Sequence, residues 1–199
     1  MVYEYLPRGS LADVLKCDEK SALLTWPLRV RCLQEVAVAL HFMHNGGAGD
    51  KCFHRDVKSA NVCLTATFSA KLIDCGLAHF IPGGDARIDR SKFTATGGVL
   101  GTPGYISPEY ARDGKFSSKA DVYSFGMVIL EVITGRIQNS PDELYSHFFE
   151  GDDDDDDDAD GDGDVDETAR IIAKIKAAAD VRPGAVSGGL INDLSRLAV

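Results

Sequence analysis

Apolar and polar positions follow several distinct rhythms along this chain. Met1 to Leu6 mixes aromatic and β-branched residues, which predicts a β-strand already under way at the first residue, and Pro7-Arg8-Gly9-Ser10 then turns the chain. Ser10 suits the N-cap of a short helix from Leu11 to about Leu15. A longer helix is predicted behind Thr25, with Pro27 in its first turn. Val30, Leu33, Ala37, Leu40 and His44 recur on one face of it, and Asn45-Gly46-Gly47 ends it. Two runs too brief for helices, Val62 to Leu64 and Lys71 to Ile73, read as strands. Residues 76–118 are rich in Gly, Pro, Ser and Thr and read as one long loop, a length that points to function or disorder. Asp121 to Ile133 is apolar nearly all round and predicts a buried helix stopped by Gly135. Ala169 to Ala179 reads as helical, Leu190 to Leu197 as the start of a further helix, and no internal repeat is present.

Composition changes this picture in one place. The 199 residues are 44% hydrophobic and 26% charged, ordinary for one globular domain. The net charge of -10 is local: residues 150–167 carry 13 of the 31 acidic residues and no Lys or Arg, and without them the balance turns to +3. Lys and Arg are otherwise scattered, so nucleic acid is not an expected partner. Five cysteines without C-x-x-C spacing argue against a disulfide framework or zinc site and favour a reducing compartment. The longest apolar runs are too short to span a bilayer, and the first residues lack the pattern of a secretory signal.

The chemistry lies in four segments taken in order. They are His54-Arg55-Asp56-Val57-Lys58-Ser59-Ala60-Asn61, then Asp74-Cys75-Gly76, then Gly101-Thr102-Pro103-Gly104-Tyr105-Ile106-Ser107-Pro108-Glu109, and last Asp121-Val122-Tyr123-Ser124-Phe125-Gly126. Any one arises readily by chance; four in this order and spacing are specific. Over roughly residues 1–140 the chain resembles the C-terminal lobe of a protein kinase. Phosphoryl transfer needs a carboxylate to orient and deprotonate the attacking hydroxyl, and metal ligands to neutralise the phosphates. The resemblance implies Asp56 as that base, Asn61 and Asp74 as magnesium ligands, and Lys58 directed at the transferred phosphate of ATP. Lys58-Ser59-Ala60 favours the serine/threonine type, with a protein hydroxyl as substrate.

Further roles follow from the same resemblance. Val2 to Leu11 is similar to the last strand of the small lobe and the hinge. Tyr3 then matches the gatekeeper, Glu4 and Leu6 offer backbone groups to adenine, and Cys63 lies either under the adenine or in plain core. The wording of this segment and of Gly101 to Tyr105 is similar to the tyrosine-kinase-like group, within it to plant receptor-like and interleukin-receptor-associated kinases. Arg55 beside Asp56 implies control by phosphorylation of the following loop, with Ser91, Thr94 and Thr96 as acceptors. His54, Thr102, Glu109 and Asp121 take structural roles: Thr102 touching Asp56 and Lys58, Asp121 holding the catalytic loop through backbone hydrogen bonds, Glu109 awaiting a late arginine. His41, His44, His79 and His147 show no partner spacing and read as core or surface residues.

Three departures qualify the match. No G-x-G-x-x-G motif is present, and the small lobe is expected to be missing; Cys75 stands where the family carries Phe; and Arg182 is no convincing partner for Glu109. The expectation is an α+β, mainly α fold: a kinase-like large lobe with short strands, truncated at both ends. Residues 1–149 would form the partial kinase domain, 150–168 a disordered acidic insert, and 169–199 the continuation of the lobe. The segment from Asp156 to Glu167 fits the EF-hand expression, but no register supplies both the apolar position and the final glutamate, so a solvated insertion is expected rather than a calcium site. The implied function is ATP- and magnesium-dependent phosphorylation of protein serine or threonine by the parent protein. The implied location is the cytoplasm, or the cytoplasmic side of a membrane receptor. The competing expectation is a catalytically inactive, kinase-derived interaction module.

Overall fold

A computed structural model describes residues 2–46, 50–83, 92–94 and 98–137. The helices predicted at 169–179 and 190–197, the acidic run, Ser91 and Thr96 lie outside them. Within the described residues the fold is mixed α/β, five helices carrying most of the regular structure beside six three-residue strands.

Helix α1, Leu11–Lys16, starts where predicted because Ser10 and Asp13 form a capping box: Asp13 N–H donates to Ser10 Oγ at 3.1 Å, and Ser10 N–H to the Asp13 carboxylate at 3.2 Å. Helix α2, Asp18–Leu23, follows after one residue. Helix α3, Trp26–His44, has Thr25 at its N-cap in extended conformation, with no side-chain capping bond, and Pro27 in the first turn. Its buried face differs in phase from the predicted one. Arg29, Cys32, Leu33, Val36, Leu40 and His44 are buried, while Ala37 is exposed and Val30 only half-buried. Arg29 accounts for the shift. Its guanidinium is fully enclosed, Nε donating to the Leu24 carbonyl at 3.0 Å, Nη2 to Ser21 Oγ at 2.7 Å and Nη1 to the Val132 carbonyl. A charge-assisted set of this kind keeps a cation inside the core and turns the helix toward it.

Strands β1 (Lys51–Phe53), β2 (Val62–Leu64), β3 (Ala70–Leu72), β4 (His79–Ile81), β5 (Lys92–Thr94) and β6 (Lys115–Ser117) form three antiparallel pairs, β1 with β4, β2 with β3 and β5 with β6. The second predicted strand lies one residue early, at Ala70–Leu72. Ile73 is withdrawn because its N–H donates to the Asn61 carbonyl at 2.9 Å and its carbonyl faces the His54 ring. The strand predicted at Met1 to Leu6 is not seen among the described residues: residues 2–6 carry no regular secondary structure, and Val2, Tyr3 and Tyr5 are largely exposed. The stretch 76–118, predicted as one loop, carries β4, β5, β6 and helix α4, Pro108–Asp113, which starts at the Ser107 cap.

Helix α5, Ser118–Thr134, matches the predicted apolar segment and ends at Gly135 in the left-handed conformation, φ 67°. Its centre packs with α1, α3, β2 and β3 into the main core around Leu15, Leu33, Val36, Val62, Leu64 and Val128. A second cluster, Phe53, Ile81, Tyr110, Phe116 and Ala120, lies beside β1 and β6. The segment between β1 and β2 joins them along the chain: Phe53 belongs to the second cluster, and Val57 is packed into the first.

Candidate active site

The backbone of this segment is fixed by one carboxylate. Asp121, fully buried near the start of α5, accepts the His54 N–H on Oδ2 and the Arg55 N–H on Oδ1, both at 2.9 Å. The His44 ring completes its shell, Nε2 lying 2.8 Å from Oδ2. These bonds hold Arg55 at φ 70°, a left-handed conformation costly for a side chain with a Cβ. The His54 ring is set by its two contacts: Nδ1 accepts the Asp56 N–H at 3.3 Å, and Nε2 donates to the Ile73 carbonyl at 3.0 Å.

Beyond this anchor the polar groups converge. Asp56 Oδ2 accepts Lys58 Nζ at 2.7 Å and Asn61 Nδ2 at 3.0 Å, while Oδ1 accepts the Thr102 hydroxyl at 2.6 Å. Lys58 Nζ also donates to Thr102 Oγ1 at 2.7 Å, closing a ring of three side chains drawn from two distant segments. Asn61, in the 3-10 turn Ser59–Asn61, sends a second Nδ2 bond to the Asp56 carbonyl at 2.8 Å. Burial pushes the Asp56 carboxyl up, but hydrogen bonds from Lys58 and Thr102, the charge of Lys58 and the Asn61 amide outweigh it and hold the group below the ordinary carboxylate range. A depressed folded-state value means that this carboxylate contributes stability above its ordinary range, a contribution lost as pH falls through the folded value. Lys58→Met is therefore expected to move the Asp56 titration upward, and carbon-detected NMR titration of the Asp56 carboxyl checks it; an unmoved titration would refute the assigned cause.

Asp74 is exposed with φ 64°, its Oδ1 accepting the Gly76 N–H at 3.3 Å. The Ile73–Asn61 backbone bond ties its segment to the turn that carries Asn61. The Asn61 amide nitrogen is engaged by Asp56, which leaves its carbonyl oxygen as the acceptor. Together Asn61 and Asp74 offer the oxygen donors that suit magnesium.

The other predicted residues have different contacts. Glu4 is exposed, 3.7 Å from Lys71 Nζ; the Leu6 carbonyl accepts the Gly9 N–H at 3.1 Å beside an open cleft of about 490 Å³; and Cys63, on β2, pairs with Lys71 on β3 and bridges to Ser10. Thr94 is exposed on β5 opposite Lys115, and Glu109 is exposed in the first turn of α4. Arg55 reaches the Leu77 carbonyl at 3.4 Å and the Tyr110 hydroxyl at 3.3 Å, its guanidinium 5.0 Å from the centre of the Phe93 ring.

Three contributors escaped the sequence reading. The Tyr105 hydroxyl donates to buried Glu131 at 2.6 Å and lies 3.4 Å from Ser59 Oγ, and burial followed by the Glu131 charge raises it far above a normal phenol. Tyr110 accepts the Leu100 N–H at 3.0 Å. His44 closes the Asp121 shell. A histidine and an aspartate on two apolar helix faces were a usable signal for the last, since buried polar groups need partners.

A carboxylate held by a lysine, a threonine and an asparagine, on a loop anchored to a buried helix aspartate, defines the class. The chain belongs to the protein kinase domain family, which matches residues 1–156. It is 44% identical over 137 residues to a probable serine/threonine-protein kinase of Arabidopsis thaliana, PBL26. It is 40% identical over 137 residues to a probable LRR receptor-like serine/threonine-protein kinase of the same plant, and 41% identical over 136 residues to the LRR receptor-like serine/threonine-protein kinase SIK1 of Oryza sativa subsp. japonica. Each match covers 68% of this chain but only 31%, 15% and 13% of the respective relatives. Among the described residues no helix is long and apolar enough to cross a membrane.

Proposed function

We propose that this chain is the hinge and large-lobe part of a protein serine/threonine kinase of the tyrosine-kinase-like group, with residues 1–149 as the kinase portion. The observation that carries the proposal is the Asp56–Lys58–Thr102 ring, with Asn61 bonded into it. Asp56 would orient the hydroxyl of a protein serine or threonine and take its proton. Lys58, already paired with that carboxylate, would face the transferred phosphate. Asn61 and Asp74 would hold magnesium, which when bound neutralises phosphate charge. Glu4 and Leu6 would meet the adenine of ATP through their backbone groups. Arg55 would receive a phosphate placed on Thr94, Thr96 or Ser91. Likeness to receptor-like kinases supports a place on the cytoplasmic side of a membrane.

The parent protein that contains this chain, incubated with magnesium, labelled ATP and a general hydroxyl substrate such as myelin basic protein, is expected to yield phosphoserine or phosphothreonine. One observation favours a second reading, a nucleotide-binding module without transfer: exposed Cys75 occupies the position where the family carries Phe. Under that reading MgATP raises the unfolding temperature, by about 2.7 kcal/mol of added stability at a hundredfold its Kd, with no labelled product. Neither stabilisation nor product would overturn both.

A further inference from the structure

All five cysteines are free thiols in the structure. Three have settled surroundings. Cys32 is buried 3.2 Å from the Phe68 carbonyl, Cys63 lies within the β2–β3 pair, and Cys17 links α1 to α2. Cys52 and Cys75 are placed differently.

Cys52 lies on β1, opposite Phe80 of β4, with Phe53 opposite His79. Cys75 opens the 3-10 turn Cys75–Leu77 that leads into β4. The other end of that segment is fastened as well, since the Ile73 carbonyl accepts the His54 Nε2 proton at 3.0 Å. The stretch from Ile73 to Phe80 is therefore tied at both ends to the stretch from Cys52 to His54, and Cys75 lies between the two ties. Cys52 is two residues before His54 and Cys75 two residues after Ile73, so the two thiols flank the His54–Ile73 bond. Cys75 is exposed and Cys52 half-buried, so an oxidant meets Cys75 first while Cys52 stands behind it.

We propose that Cys52 and Cys75 form a dithiol that hydrogen peroxide converts to a disulfide, tethering the turn after Asp74 to β1. The Cys75 sulfur attacks peroxide: the O–O bond breaks, a sulfenic acid forms and one water leaves. The Cys52 sulfur then attacks the Cys75 sulfur, the S–S bond forms, the S–O bond breaks, and a second water carries away the Cys52 proton. Two thiols are oxidised by two electrons and one peroxide is reduced. Closure brings the two Cα atoms within about 7 Å, which the fastened ends allow and the exposed turn can complete.

The sequence makes the test direct, because trypsin places the five cysteines in five different peptides, Cys52 in 52–55 and Cys75 in 72–87. The full chain is treated with hydrogen peroxide at neutral pH, blocked with iodoacetamide and digested without reductant. The expected product is peptide 52–55 joined to 72–87, lighter than their sum by two hydrogens and separated by reductant. Cys52→Ser and Cys75→Ser abolish it, whereas Cys63→Ser leaves it intact. Recovery of Cys75 as sulfinic or sulfonic acid with Cys52 alkylated, or of Cys75 joined to another cysteine, would overturn the proposal. The readout needs no phosphotransfer and no folded variant, so it stands or falls apart from the proposed function.

Discussion

Asp56→Asn is expected to lower phosphoryl transfer by about 10² to 10⁴-fold in an active preparation, the range associated with loss of a positioned base. Asparagine keeps one oxygen that can still accept the Thr102 hydroxyl, whose present distance is 2.6 Å, and its volume is nearly unchanged. What it loses is the charge that attracts Lys58 and the capacity to take a proton. The defect should therefore fall on kcat, with the KM for ATP changed little, because the adenine contacts are proposed at Glu4 and Leu6. Steady-state kinetics separate these parameters. An unchanged kcat would remove Asp56 from the role of base, and an equal loss in ATP binding would make it a nucleotide contact instead.

Asp121→Ala should have the largest effect on stability. The substitution deprives the His54 and Arg55 N–H groups and the His44 ring of their acceptor in a fully buried site. Removing one partner from such a buried, charge-assisted set costs about 3–5 kcal/mol. That is a large share of the roughly 5–15 kcal/mol by which domains are stable. It also removes the bonds that hold Arg55 in its left-handed conformation, so the segment carrying Asp56 should relax even where the variant folds. Urea unfolding is expected to show the drop in midpoint, and hydrogen exchange at His54 and Arg55 should accelerate beyond the global change. A midpoint within experimental error of the parent would exclude Asp121 as the anchor.

The parts legible in the sequence are those fixed by local spacing. Ser10 announces a helix start by its position before Leu11, and the structure adds Asp13 as the other half of a capping box. The apolar run before Gly135 announces α5 because burial on all sides leaves few alternatives. The geometry around Asp56 was legible for a different reason: the segments that meet there keep a fixed order and spacing, which implied contact between Thr102 and Lys58 across 44 residues. Elements that depend on distant partners were not legible. Three-residue strands such as β5 and β6 carry no periodicity, and their pairing becomes visible only when Phe93, Phe116 and Phe53 pack as one aromatic group. The phase of α3 was misjudged because an arginine on a helix face reads as solvent-facing unless its acceptors are known, and one of those is the Val132 carbonyl.

That last bond has a consequence for how the chain is made. Arg29 and Val132 are 103 residues apart, and His44 and Asp121 are 77 apart. A ribosome delivers α3 long before α5, and until α5 emerges the Arg29 guanidinium and the His44 ring lack the partners that α5 supplies. The loop between them must close before either bond offsets the lost chain entropy. The core should therefore assemble late and in one step, once residues past Thr134 have cleared the exit tunnel. Nascent chains that stop short of that point would present the apolar face of α3 to chaperones.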